Sequence, residues 1–348
     1  MSLSQTQSGL SDDLPDWFWG LLGASDAAQR DMRLHDLGLV MRDGLPRGVA
    51  VKSDAQAQTE DTFGYKWRKR ETYESAAGLA NMRAWLTERY GAPEDFAFLR
   101  ETSDKPVLLD AGCGSGYSAL ELFAPVLDRL RYLGADISSA IDVARLRFGE
   151  RGFHDAAFMQ ADVTQLPLPN ASVDAIFSEG VLHHTDSTAG ALRALAPKLK
   201  PGGTFMFYVY RKKGPIREFT DDYIREKLQS LSPEDAWTAV EPLSALGKVL
   251  GDLDIEIDIP KDIELLDIPA GRINLQRLFY WHVFKAFYRP DMSLDEMTHI
   301  NFDWYAPQNA HRQTAEEVRA WCAAADLAIE RERVEEAGIT VVARKGQG

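Results

Sequence analysis

The stretch Val107-Leu108-Leu109-Asp110-Ala111-Gly112-Cys113-Gly114-Ser115-Gly116 carries most of what this 348-residue chain discloses about its architecture. A short apolar run, bounded by Pro106 and ending in an acid and three alternating glycines, reads as a buried strand that turns sharply into a helix. Glycines at such a turn let a ligand approach bare backbone. The spacing Gly112-x-Gly114-x-Gly116 is one residue shorter than the dinucleotide pattern G-x-G-x-x-G, in which a pyrophosphate rests on the helix N-terminus. Asp110 beside a phosphate would be repulsive. Beside the ammonium of a methionine moiety it is expected to be favourable.

Working downstream, Tyr132 to Ala135 reads as a second strand ending at Asp136, and Ala156 to Gln160 as a third, followed by Asp162. Val173 to Ser178 reads as a fourth and Thr204 to Tyr210 as a fifth, with helices over Tyr117–Leu130, Ala140–Phe148 and Ala189–Leu199 between them. Strands alternating with helices mean a parallel sheet covered on both faces. Asp110, Asp136 and Asp162 then end three successive strands at one crevice, where open α/β sheets bind ligands. Asp136 can accept hydrogen bonds from ribose hydroxyls and Asp162 one from an adenine amine, although strand-end Asp residues also serve as helix caps. The alternation pauses over 211–311 and resumes with a helix over Thr314–Ala325 and strands near Ala328–Val334 and Gly338–Ala343. Upstream, Asp16 to Arg100 reads as mostly helical, with breaks at Gly44–Pro46 and Gly91–Pro93.

Val107 to Gly116, Asp136, Ala161-Asp162-Val163, Ser178 to His184 and Leu199-Lys200-Pro201-Gly202-Gly203 together resemble the class I, Rossmann-like S-adenosylmethionine (SAM)-dependent methyltransferases. The resemblance covers about a hundred residues. It implies a doubly wound, mostly parallel seven-stranded sheet whose last strand is antiparallel. Here 101–210 and 312–348 would form the SAM-binding domain, 1–100 a helical extension or cap, and 211–311 an inserted substrate cap. It further implies that the loop from Asp110 through Gly112, Cys113, Gly114 and Gly116 holds the methionine part. Asp136 and Ile137 would hold the ribose, Asp162 and Val163 the adenine, with Ser178 and Glu179 near the methionine end. S-adenosylhomocysteine (SAH) would be the product.

Methyl transfer from a sulfonium needs mainly alignment and exclusion of water. His183 and His184, just past the fourth strand, are the candidate bases, an imidazole being suited to neutral pH. Tyr208, Tyr210, Arg211, Lys212, Lys213 and Arg217 cluster past the fifth strand, and Lys66, Arg68, Lys69 and Arg70 form a second basic run. In a chain of net charge -14 these point to an anionic small-molecule acceptor gripped by Arg217 with Lys212, with Tyr210 beside the reaction. Tyr280, Trp281 and His282 are candidates for the substrate wall. Phe63-Gly64-Tyr65-Lys66-Trp67 resembles segments that cover the cofactor in some family members.

The acidic balance argues against a nucleic-acid or membrane partner. Adjacent histidines without ligand-spaced partners argue against a metal site. Two cysteines, no apolar start at the N-terminus and no run of 18 apolar residues suggest a cytoplasmic protein without membrane spans. A homodimer is compatible with the aromatic stretch 275–288. A nucleic-acid or protein methyltransferase is the alternative, as is a SAM-binding protein whose transfer chemistry has been lost or altered.

Overall fold

The computed structural model describes residues 14–48, 52–100 and 104–347; the Ser- and Gln-rich start of the chain, expected to be a loose tail, lies outside them. The chain begins with two short helices, α1 (Asp16–Leu21) and α2 (Arg30–Asp36), and a hairpin of β1 (Leu39–Arg42) and β2 (Leu45–Gly48). Helices α3 (Asp54–Arg68), α4 (Ala76–Tyr90) and α5 (Ala97–Arg100) follow. Ser53 and Ser75 cap α3 and α4 by accepting the backbone N–H of Gln56 and Gly78, which satisfies donors that a helix start leaves unpaired.

The alternating part runs β3 (Val107–Ala111), α6 (Tyr117–Phe123), β4 (Arg131–Asp136), α7 (Ala140–Glu150), β5 (Ala157–Gln160), β6 (Val173–Glu179), α8 (Thr188–Leu195) and β7 (Leu199–Tyr210). The segment 211–311 holds α9 (Pro215–Leu228), α10 (Pro233–Asp252), a small hairpin of β8 (Glu256–Ile259) and β9 (Gly271–Asn274), α11 (Leu275–His282) and α12 (Leu294–Tyr305). Helix α13 (Ala315–Ala324) and strands β10 (Leu327–Val334) and β11 (Gly338–Lys345) close the chain.

The main sheet has the order β1-β2-β5-β4-β3-β6-β7-β11-β10. Strands β3 to β7 pair in parallel, and β11 is antiparallel to both β7 and β10. The seven strands expected from the sequence are all present, and the sheet has nine because the N-terminal hairpin joins its edge through Arg47 against Gln160. The mostly helical reading of the N-terminal region does not foresee that hairpin. Asp43 and Gly44, the latter the start of the helix break read at Gly44–Pro46, take φ values of 53° and 74° and form its turn, as an Asp-Gly pair between two apolar runs favours. Arg47 fastens the hairpin to α7 by a paired contact with Asp142, 2.8 and 3.2 Å.

Strand alternation divides the core. Leu109, Ala111, Leu133 and Ala135 face one side with α1, α8 and α13, while Leu108, Tyr132 and Phe158 face α4, α6 and α7 on the other. A third cluster joins Tyr208 and Tyr210, at the end of β7, to Trp237 of α10 and to Phe302, Trp304 and Tyr305 of α12. The inserted helices are therefore packed directly over the carboxyl ends of the central strands.

Candidate active site

A cavity of about 580 Å³ opens at those carboxyl ends, within the range of small-molecule and cofactor sites. Its floor is Gly112 and Gly114 after β3, Asp136 and Ile137 at β4, Asp162 and Val163 after β5, and Glu179 at β6. Its roof comes from α3, α4 and the inserted segment.

The glycines matter physically at two positions. Gly112 has φ +85° and a Cβ there would lie 2.2 Å from Val181; Gly114 has φ +52° and a Cβ would lie 2.8 Å from the Trp67 indole. Both the backbone conformation and the space exclude a side chain. The Gly114 N–H donates to Asp136 Oδ2 at 2.8 Å, while Oδ1 accepts from the Ser138 N–H and hydroxyl. One carboxylate thus fixes the loop and presents its edge to the cavity, and burial raises its pKa. Asp162 Oδ1 caps the turn through the Thr164 N–H and hydroxyl, and Oδ2 has no hydrogen-bond partner among the described residues. Glu179 accepts from the Tyr90 hydroxyl, and its pKa is pushed up to about 8 by burial.

Other sequence expectations are corrected. Asp110 lies inside β3 rather than beyond its end, so strand alternation turns it toward Leu108's face. There it accepts a 2.6 Å hydrogen bond from the Tyr132 hydroxyl, buried behind the loop with its pKa pushed up to about 7 by burial. It does not line the cavity. Neither do Cys113, buried near Gly134, Gly116, which faces Phe148, or Ser178, whose hydroxyl donates to the Ala111 carbonyl. Arg217 is 1% exposed and bonds Asp221 at 2.8 Å and the Tyr280 carbonyl; it braces α9 against α11 and α12 and reaches no ligand space. Trp281, His282 and Lys212 also lie off the cavity wall.

The histidine pair divides. His183 is fully buried, its ring 3.7 Å from that of Tyr210, with neither nitrogen partnered among the described residues. His184 does line the cavity, and its Nδ1 donates to the Asn309 carbonyl at 2.6 Å. Its Nε2 is sealed from solvent without a partner among the described residues, which argues for a packing role.

Among the cavity residues without a counterpart in the sequence candidates are two on α12. Asp303 on α12 accepts from Lys66 of α3 and, at 2.7 Å, from the Tyr210 hydroxyl, so Tyr210 reaches the cavity with its proton already committed. Burial opposes the Asp303 charge, but Lys66, then His184 and Lys285, hold the carboxyl far below its usual range. Asp303→Asn is expected to cost about 2 kcal/mol, less than a fully buried pair because its side chain is 24% exposed. A carboxyl depressed on folding stabilises above its unfolded value and stops doing so as pH falls through the folded one. Urea titrations should therefore give a constant gap between wild type and variant from about pH 5 to about pH 6, narrowing below about pH 4.

His299, also on α12, is the second. The Thr72 hydroxyl has one proton, which it gives to the Lys69 carbonyl at 2.7 Å. Its 2.7 Å contact with His299 Nδ1 must then be donated by the imidazole, leaving Nε2 unprotonated. Nε2 has no partner among the described residues and His299 lines the cavity. Burial holds its pKa well below the ordinary value, so the ring stays neutral near pH 7.

Residues 109–207 match the family model described as a methyltransferase domain. Over 99 residues the chain is 37% identical to an uncharacterized methyltransferase of Mycobacterium bovis, covering 28% of this chain and 47% of the relative. Over 185 residues it is 29% identical to a probable tRNA methyltransferase 9B of Bos taurus, covering 51% and 35%. It is similar, at 16% identity and a TM-score of 0.43, to the 1,6-didemethyltoxoflavin-N1-methyltransferase of Burkholderia thailandensis, covering 86% of this chain and 92% of that one. The chain thus spans less than half the length of the two curated relatives named here. With the glycine loop, the strand-end acids and the sheet order in place, residues 109–207 form the core of a class I, SAM-dependent methyltransferase domain.

Proposed function

We propose that the chain transfers a methyl group from SAM to a hydroxyl or N–H of a small molecule with a flat apolar body. The carrying observation is the continuity of one cavity from Asp136 and Asp162 past Glu179 to the inserted residues Tyr280, Lys285 and His299. The donor set suits SAM: Asp136 for the ribose hydroxyls, Asp162 for the adenine amine, Ile137 and Val163 for the adenine faces. Glu179, rather than Asp110, is the carboxyl near the ammonium. When bound, SAM supplies an activated methyl group on a sulfonium sulfur.

The remaining work belongs to the chain's own residues. Trp85, Tyr208, Tyr280 and Phe287 provide aromatic walls for the acceptor, and the 211–311 segment acts as its cap. Closing the reaction off from water and holding the nucleophile in line supply most of the acceleration. His299 Nε2 takes the acceptor's proton, and Thr72 keeps its ring in the required tautomer.

SAH release should be seen with a library of small phenols and aromatic amines and not with bulk tRNA. Transfer to tRNA alone would replace this reading with the one suggested by the name of the bovine relative. Asp136→Ala is expected to weaken SAH binding by about 10–100-fold, the loss of one to two hydrogen bonds to a charged group. Asp136→Asn, which keeps the shape, should lose less. Calorimetry on folded variants checks both.

A further inference from the structure

Lys285 lies in the connector between α11 and α12, and the backbone around it is fixed on three sides. Its N–H donates to the Tyr305 hydroxyl at 2.7 Å, the Ala286 carbonyl accepts from Gln276 at 2.7 Å, and the Phe287 N–H donates to Asn301 at 3.0 Å. The side chain so placed lines the cavity and is 6% exposed overall. Its ammonium sits 4.9 Å from the Trp304 ring centroid and makes no hydrogen bond or ion pair among the described residues. A buried ammonium without a partner is costly, and proteins retain one where a ligand completes it.

Of the other charges lining the cavity here, Asp303 and Arg289 are already paired, and the Glu296 carboxylate is held by the Ser75 hydroxyl and the Ser293 N–H. Asp303, the main opposite charge acting on Lys285, is bonded to Lys66 and Tyr210. Arg289 is paired with Asp291 through two hydrogen bonds of 3.0 Å. Arg277, whose only hydrogen bond is a 3.3 Å contact with the Tyr288 carbonyl, lines the same cavity without an acidic partner among the described residues. One rigid lysine and one arginine are left over, in a cavity whose neighbouring wall is aromatic.

From this charge imbalance we propose that Lys285, with Arg277, forms a subsite for a carboxylate on the methyl acceptor, so that the substrate class is an aromatic acid. The inference rests on the acceptor cavity described above and deepens it. Burial lowers the Lys285 pKa to about 7, and an arriving carboxylate would restore the ammonium and form a charge-assisted hydrogen bond with it. Arg217, expected from sequence to grip this charge, is replaced in that role by residues about 60 and 70 positions further on.

The test compares 2-naphthoate with 2-naphthamide, and indole-3-acetate with indole-3-acetamide, by calorimetry on wild type, Lys285→Met and Lys285→Arg. Each titration is run with and without SAH. The acids should bind wild type at least about ten-fold tighter than their amides. That preference should vanish in Lys285→Met and persist in part in Lys285→Arg, while SAH affinity reports that each variant is folded. Equal binding of acid and amide, no binding of either acid, or a preference that survives Lys285→Met overturns the subsite. Failure of wild type to bind SAH counts against the cofactor reading instead, and the acid-to-amide ratio in its absence still decides this one.

Discussion

His299→Gln lowers kcat by about a hundred-fold or more on a hydroxyl or amine acceptor, the usual loss when a positioned base is removed. Glutamine keeps a donor for Thr72 and much of the ring's volume, but it cannot take a proton at neutral pH. SAH affinity should change little, since His299 is not bonded to Asp136, Asp162 or Glu179, the carboxylates assigned to the cofactor. The pH profile separates this role from a structural one. Because burial holds the imidazole well below its ordinary pKa, the basic form persists into mild acid. Wild-type kcat should stay flat from pH 8 to about pH 6, where an unperturbed histidine base would already have lost activity. A variant with nearly normal kcat, or a wild-type rate that halves near pH 6.5, would remove His299 from the chemistry.

Arg217→Met is expected to destabilise the fold by about 3–5 kcal/mol. Its guanidinium and the Asp221 carboxylate are each 1% exposed, and Asp221 also accepts from Trp304 Nε1 at 2.7 Å and the Tyr305 hydroxyl at 2.9 Å. Removing the arginine leaves a buried carboxylate with two neutral donors and no ion-pair partner among the described residues, Arg225 acting on it only at longer range. The double variant Arg217→Met/Asp221→Leu should recover part of the loss, because replacing both members of a buried pair costs far less than breaking it. Denaturant unfolding measures both. An unchanged midpoint for the single variant, accompanied by a raised KM, would restore Arg217 as a substrate ligand.

These cases show where the sequence was readable. The placement of Gly112, Gly114, Asp136 and Asp162 at the cavity was legible because it depends on local geometry: a strand end, a turn, a carboxylate at a fixed offset. Asp110 was misassigned although the signal was present, since it alternates with Leu108 inside a strand and must share that buried face. The Asp43-Gly44 pair likewise carried a hairpin signal. Arg217, which composition alone presented as substrate-binding charge, pairs with Asp221 four residues on along the same helix. His299, Asp303 and Lys285 had no local mark. They lie in the inserted segment, where no strand-helix alternation sets their direction, and only the packing of α3 and α12 over the sheet brings them to the cavity. The tautomer of His299 depends on Thr72, more than two hundred residues earlier.

The central claim is that the cavity beside the glycine loop takes SAM and serves methyl transfer. Calorimetric titration of the purified chain with SAM and SAH, with NAD as control, addresses it most directly. The account predicts one site for both sulfur compounds, weakened in Asp136→Ala, and no uptake of NAD. Absence of SAM and SAH binding, or preference for NAD, would contradict it.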